Sequence, residues 1–293
     1  MPQADSVDDR IEDRIAAQYA HLSSKLKDAA DFVATNPVDV ATRSLRSISG
    51  SSGLAPATFS RLARALGFES YEEMRELSRA AVGRQYTSFS ERVSRLQAED
   101  RAAQTPFLMR QAEACIENIG ALSGMIDQAR LEQAVAHLHA ARRKVLFGAF
   151  GSTGIVEYFA YLGNYFSPGW QVAGRSGASI STAVAELDER DALVVITKPP
   201  FARRAVMAAE MGREQGAYVI VITDTHACPA LANADAGFIL ATDSPQFFSS
   251  YSATVVLIET MIGMLVSRAG DRARSRICEV EERNRRLQEF WAE

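Results

Sequence analysis

The sequence predicts an α/β protein in two parts: a small all-α domain, then a doubly wound parallel-sheet (αβα) domain. Three observations carry this. Ala192–Thr197 (ALVVIT) and Tyr218–Thr223 (YVIVIT) are near-continuous apolar runs rich in β-branched residues, as in parallel strands buried on both faces. Stretches with helical spacing stand between such runs, the alternation of an open α/β sheet. This texture begins only at about Glu99; before it the apolar stripes have helical spacing.

The bulk numbers suit that reading. At 293 residues, 47% hydrophobic and 23% charged, the chain is long enough for two domains with proper cores. A net charge of -4 excludes a wholly basic surface but not a local basic patch. From Pro37 to Ala80 there are six arginines (43, 46, 61, 64, 75, 79) against five acids, and the acids cluster after Glu69 except for Asp39. The three cysteines, Cys115, Cys228 and Cys278, are far apart, and neither a C-x-x-C pair nor a secretory leader is evident. A cytoplasmic location is the expectation. Ala253–Val266 is apolar but short and interrupted by Glu259, so it is expected to be a core helix, with no membrane span.

In order, Ile11–His21 and Ser24–Thr35 read as helices, the second with a stripe of Leu26, Ala29, Ala30 and Val33 and a stop at Asn36-Pro37. Ser44 caps a short helix over Leu45–Ser52, Gly53 ends it, Pro56 opens the next and Gly67 closes that one. Tyr71–Val82 is a further amphipathic helix. Gln85–Ser94 is polar and Ser-rich without an apolar stripe, and reads as linker. Helices are expected over Ala102–Ile126 and Leu131–Ala141, then strands at Val145–Phe147, Trp170–Val172 and Gly237–Ala241 beside the two long runs. Further helices are expected at Ser152–Phe166, Ala202–Gln215 and Ser250–Ser267, and a charged one over Asp271–Trp291. The expected organisation is 1–82 helical domain, 83–100 linker, 101–270 sheet domain and 271–293 terminal helix.

The run SLRSISGSSGLAPATFSRLARALGF carries the first functional signal. Leu45, Ile48, Leu54, Phe59, Leu62 and Leu66 can form the shared core of two short helices turning at Gly53, a helix-turn-helix. The second helix then presents Pro56, Ala57, Thr58, Ser60, Arg61 and Arg64 to solvent, the placement that reads a major groove. Thr58 and Ser60 suit hydrogen bonds to a base or phosphate, Arg61 a guanine or phosphate fork, and Arg64 a phosphate. Candidate DNA-binding residues are therefore Ala57, Thr58, Ser60, Arg61 and Arg64; the alternative is an ordinary helical hairpin with solvated arginines.

Residues from about Ala20 to Leu77 resemble the N-terminal domain of the RpiR (MurR/RpiR) family of bacterial transcription regulators. The resemblance lies in Leu22-Ser23, Ala30-Asp31-Phe32-Val33, Asn36-Pro37, Ser44-Leu45 and above all Gly53-Leu54-Ala55-Pro56-Ala57-Thr58-Phe59-Ser60-Arg61-Leu62, with Leu66-Gly67-Phe68 and Tyr71 behind it. Two departures are Ala55, where the family usually has Ser, and Ile48-Ser49, where it usually has Leu-Ala. The first removes a helix cap worth about 1 kcal/mol.

The second signal is KVLFGAFGSTG: a strand ending at Gly148, then Gly151-Ser152-Thr153-Gly154 entering a helix. Free N–H groups, two hydroxyls and glycines that admit a ligand make an anion site. It is neither G-x-G-x-x-G nor a P-loop, so no nucleotide cofactor is expected.

Residues from about Leu131 to Arg268 resemble a SIS (sugar isomerase) domain, the usual C-terminal partner in that family. The resemblance implies a phosphosugar or sugar-acid ligand held by this first turn and by a Ser/Thr-rich turn after the next strand. At the second turn the chain has Thr197-Lys198-Pro199-Pro200-Phe201-Ala202-Arg203 instead, similar to a branch of these regulators with a Pro-aromatic turn there. Two prolines remove two backbone donors, and Lys198 and Arg203 are expected to replace them by charge. Ile222-Thr223-Asp224 with Pro229 and Leu231-Ala232 also matches, with Asp224 expected to cap a turn. Ser249, before the last long helix, and Glu259, where isomerase relatives place an acid, complete an expected effector set of Gly151, Ser152, Thr153, Lys198, Arg203, Ser249 and Glu259.

His21, His137, His139 and His226 form no metal set. The expectation is a non-enzymatic, DNA-binding transcription regulator that senses an anionic carbohydrate metabolite and assembles as a homodimer or homotetramer on a palindromic operator. The alternatives are a sugar-phosphate isomerase or lyase, for which Glu259 and His226 are the acid–base candidates, and a SIS domain that only dimerises.

Overall fold

The computed structural model describes residues 11–36, 40, 44–86, 88–175, 177 and 179–291. It divides into two compact units, Met1–Ser88 and Phe89–Glu293.

The first unit is helical: α1 Ile11–Gln18, α2 Ser24–Thr35, α3 Leu45–Ser52, α4 Pro56–Ala65 and α5 Tyr71–Tyr86. Helix α2 ends on Asn36, whose backbone N–H and side-chain amide both donate to the Phe32 carbonyl; Pro37, Arg43 and the side chain of Arg79 lie outside the described residues. Ser44 caps α3 by accepting from the Ser47 N–H at 3.3 Å. Gly53 then turns the chain at φ 69°, a left-handed conformation that favours glycine. Helix α4 starts at Pro56 without a side-chain cap, and the turn before it is closed by Ser49 Oγ donating to Leu54 O. Ile48, Phe59, Leu62 and Leu66 are buried as expected, with Leu45 and Leu54 packed at the edge. Phe59 is the hub, edge-on to Phe32 at 5.9 Å and to Tyr71 at 6.4 Å.

Most of the segment expected as linker, 83–100, is helical, and the boundary between the two units falls within it. Helix α5 runs to Tyr86 and α6 spans Phe89–Ala102. Helix α6 buries none of its residues, so no apolar stripe marks it. It is held by surface pairs such as Arg95–Glu99 and by Phe89, which packs on Phe248 at 4.7 Å.

The second unit continues with α7 Phe107–Met125, α8 Gln128–Ala140, β1 Lys144–Gly148, α9 Ser152–Phe166, β2 Trp170–Val172, α10 Ile180–Ala185, β3 Ala192–Ile196, α11 Arg203–Glu214, β4 Tyr218–Thr223, a 3-10 turn Pro229–Asn233, β5 Ala236–Ile239, α12 Ser252–Ala269 and α13 Asp271–Leu287. The five strands are parallel in the order β2-β1-β3-β4-β5. Helices α8, α9 and α12 cover one face; α10 and α11 cover the other. Every residue of β1 and β3 is buried, which is why these strands read as unbroken apolar runs.

Helix α12 is long and apolar enough to cross a membrane. Here it buries Leu257, Ile258, Met261 and Leu265 in the core on one side of the sheet, as expected of a core helix. The strand order reverses direction between β1 and β3, and the crevice at that switch point, beyond the strands' carboxyl ends, is where open α/β sheets bind ligands.

Candidate functional sites

In the helical unit, α4 presents Ala57, Arg61 and Arg64 to solvent on one face, with Ser60 half-buried beside them. The spacing i, i+4, i+7 explains the shared face. Ser60 Oγ lies 3.4 Å from the Pro56 carbonyl, and Arg61 Nε 3.4 Å from the Ala57 carbonyl, long contacts that a stronger partner displaces. Thr58 is corrected: it is 3% exposed. It lies four residues before Leu62, on the core side of α4, so its side chain belongs to packing and not to a recognition surface.

In the second unit, Ser152 and Lys198 flank the crevice from the β1–α9 and β3–α11 turns. Gly148 is required at the end of β1, because a Cβ there would lie 2.6 Å from the Ser152 carbonyl oxygen. The Ser152 and Thr153 N–H groups donate to Ala149 O and Phe150 O, both at 3.1 Å. Thr153 Oγ1 donates back to Gly148 O at 3.1 Å. The turn is thus tied down by its own hydrogen bonds. Gly151 is exposed and faces a phenol: a Cβ there would lie 3.5 Å from the Tyr251 hydroxyl.

Tyr251 organises the crevice. Its hydroxyl shares a 2.8 Å hydrogen bond with Ser152 Oγ, and Ser152 is 2% exposed. The Lys198 ammonium sits 3.6 Å from the centre of the Tyr251 ring and donates to Ser250 O at 2.7 Å. Burial pushes Lys198 down to about 8, with the Asp224 carboxylate pulling the other way. Asp224 in turn accepts from Thr242 Oγ1 at 3.0 Å. Burial also raises Tyr251, against the opposing Ser152 hydrogen bond.

The segment before α12 is anchored at its other end. Asn118 on α7 pairs with the Asp243 backbone through both amide atoms, at 2.7 and 3.0 Å, and Ser244 Oγ donates to Gln111 Oε1. Phe247 and Phe248 meet Phe89.

The expected effector residues therefore separate. Ser152, Thr153, Gly151 and Lys198 come together at the crevice. Ser249 is half-buried next to the Lys198 acceptor Ser250, and Arg203 is exposed at the first residue of α11. Glu259 is corrected. It lies seven residues into α12, about 10 Å along the helix axis, exposed, and accepts from the Tyr158 hydroxyl of α9 at 2.7 Å. His226 is exposed and His137 stacks on Tyr218 at 3.8 Å. Among the described residues no group of His, Cys, Asp and Glu is arranged to hold a metal. Sequence reasoning missed Tyr251, because nothing in its spacing ties it to a turn 99 positions away.

Residues 137–264 match the SIS domain family model.

The second unit has the SIS domain fold.

A solved relative in fold is the sugar isomerase domain of an RpiR transcription factor from Sphaerobacter thermophilus: 18% identity, TM-score 0.58, over 61% of this chain and 99% of that one. Another is the Vibrio vulnificus NanR protein complexed with ManNAc-6P: 15% identity, TM-score 0.56, over 95% of this chain and 99% of that one. At these identities the likeness is one of fold, and with NanR it extends over both units. No curated protein sequence matches the chain. The crevice of this chain is built from Ser152, the Lys198-Pro199-Pro200 turn and the tyrosine seated on Ser152.

Proposed function

We propose that this chain is a DNA-binding transcription regulator of the RpiR kind, whose SIS domain senses a sugar phosphate or related carbohydrate anion. The observation that carries the reading is the joining, in one chain, of a helical unit with an exposed Ala57-Arg61-Arg64 helix face to a SIS domain with a lysine-lined switch-point crevice. The arginine face fits phosphates and base edges of a duplex. Ser152 and Lys198 fit an anion: one offers a hydroxyl, the other a charge buried where desolvation strengthens its pull on a counter-charge. The NanR complex with ManNAc-6P gives the ligand class to try first.

A sensing role is favoured over catalysis because Glu259, one of the two acid–base candidates, lies two turns along α12 and is held by Tyr158, which leaves the crevice without a paired acid and base. Homo-oligomerisation through α7 is part of the reading, since Leu108, Met109 and Ile116 expose large apolar side chains on it. A dimer would match a palindromic operator, in the cytoplasm.

Thermal-shift screening of sugar phosphates, sugar acids and their uncharged parents, beginning with ManNAc-6P, tests the sensing half. Phosphorylated sugars should stabilise the wild type and not Ser152→Ala. Equal stabilisation of both proteins would remove the site from this crevice. Selection from a randomised duplex pool tests the DNA half: an enriched two-fold sequence is expected, and no enrichment would contradict it.

A further inference from the structure

We propose that Tyr251 is the resident occupant of the anion turn, and that a phosphate-bearing ligand binds by displacing it together with the 243–251 segment. This rests on the sugar-phosphate reading above and names how that site is regulated.

The phenol sits where a ligand oxygen would sit. It holds Ser152 Oγ at 2.8 Å and stands over Gly151, the residue whose missing side chain opens the turn. The cation of the crevice is held by the same segment: Lys198 bonds the Ser250 carbonyl and lies against the Tyr251 ring. Both of these contacts are neutral, and the Asp224 carboxylate acts on Lys198 through space without a bond to it. A phosphate offers Lys198 a full counter-charge and Ser152 a stronger acceptor, so it competes with Tyr251 for both contacts at once. Entry of the anion and departure of the tyrosine are then one exchange, with no new cationic group required.

The far side of the segment gives this exchange an output. Phe247 and Phe248 pack on Phe89 at 6.4 and 4.7 Å, and Arg92 Nη1 donates to Phe247 O at 3.5 Å. Phe89 is the first residue of α6 and directly follows the last residue of the helical unit, Ser88. Helix α6 buries no residue of its own, and these contacts help to hold its start. A segment that moves with Tyr251 therefore loosens the point where the chain enters the SIS domain. Differential affinity for the two arrangements is the source of the coupling.

The test is calorimetric titration of inorganic phosphate into the full chain, with Tyr251→Phe and Ser152→Ala beside it, and hydrogen exchange with and without phosphate. Tyr251→Phe keeps the ring and its packing but removes the bond to Ser152. It should bind phosphate about five-fold tighter, the worth of one net hydrogen bond, and Ser152→Ala should lose binding. Phosphate should speed amide exchange over residues 244–251 and 89–95 of the wild type. Ser152-dependent binding with equal or weaker affinity in Tyr251→Phe, or with exchange unchanged or slowed in both segments, would overturn the displacement and leave the anion site standing. No binding by wild type and Tyr251→Phe at millimolar phosphate would overturn both.

Discussion

Replacing Lys198 by Met separates what the crevice is for from what stabilises the fold. Lys198 is 8% exposed, and burial lowers it from 10.5 to about 8. Keeping this amine charged at pH 7 therefore costs about 3 kcal/mol of folding free energy. Methionine keeps the stem length and packs well on the Tyr251 ring. It leaves the Ser250 carbonyl without its 2.7 Å donor, a loss of about 1–2 kcal/mol. The balance predicts that Lys198→Met is more stable than wild type by about 1–2 kcal/mol at pH 7, as for other buried charges replaced by apolar groups. The sign of the pH dependence is fixed. Between the folded value of about 8 and the unfolded value of about 10.4, the unfolded chain holds the extra proton, so wild-type stability rises with pH across that window. The variant lacks this gain of about 3 kcal/mol, so its advantage should vanish near pH 9 and reverse, leaving wild type ahead by about 1–2 kcal/mol at pH 10.5. Urea unfolding followed by the fluorescence of Trp170, buried in the SIS core, measures both quantities. A variant less stable than wild type at pH 7, or a difference independent of pH between 7 and 10.5, would show that the buried charge of Lys198 does not cost the fold this energy. Anion binding should be lost in the same variant.

Three further outcomes follow from other parts of the molecule. Arg61→Ala should weaken binding to a selected duplex by about ten- to a hundred-fold, from a lost base or phosphate fork, with melting temperature unchanged; fluorescence anisotropy at fixed salt measures it. Gly148→Ala puts a methyl group 2.6 Å from the Ser152 carbonyl oxygen; it should cost about 1–3 kcal/mol and abolish phosphate binding by moving the turn, read by denaturation and calorimetry. Ile116 is 68% exposed on α7, and Ile116→Asp should lower the oligomeric state in sedimentation equilibrium without changing the circular dichroism spectrum.

The SIS sheet was legible because β1, β3 and β4 are buried on both faces, which leaves β-branched runs that few other environments produce. Helices α3 and α4 were legible through their punctuation: the Ser44 cap, left-handed Gly53 and Pro56 at the helix start. What escaped has physical reasons. Helix α10 is six residues long, below what periodicity resolves. Helix α6 has no buried stripe to betray it. Thr58 was misplaced because a threonine in a helix's first turn suits solvent as well as it suits packing, and its neighbours Phe59 and Leu62 decide the matter only in three dimensions. Glu259 was drawn to the crevice by resemblance, whereas the rise of α12 carries it away. The contact between Tyr251 and Ser152 depends on how the 243–251 segment folds back over the sheet, which no local pattern encodes.

Under the proposed function, one chain grips a duplex and a carbohydrate anion with coupled free energies, and this coupling is open to measurement. It is tested most directly by titrating a selected duplex with the full chain, with and without saturating ManNAc-6P and its unphosphorylated parent, and then measuring the sugar's affinity with and without duplex. A phosphorylated sugar should change duplex affinity by ten-fold or more, the duplex should change the sugar's affinity by the same factor, and the parent sugar should do neither. A chain that binds both without coupling, or that binds only one of them, would contradict it.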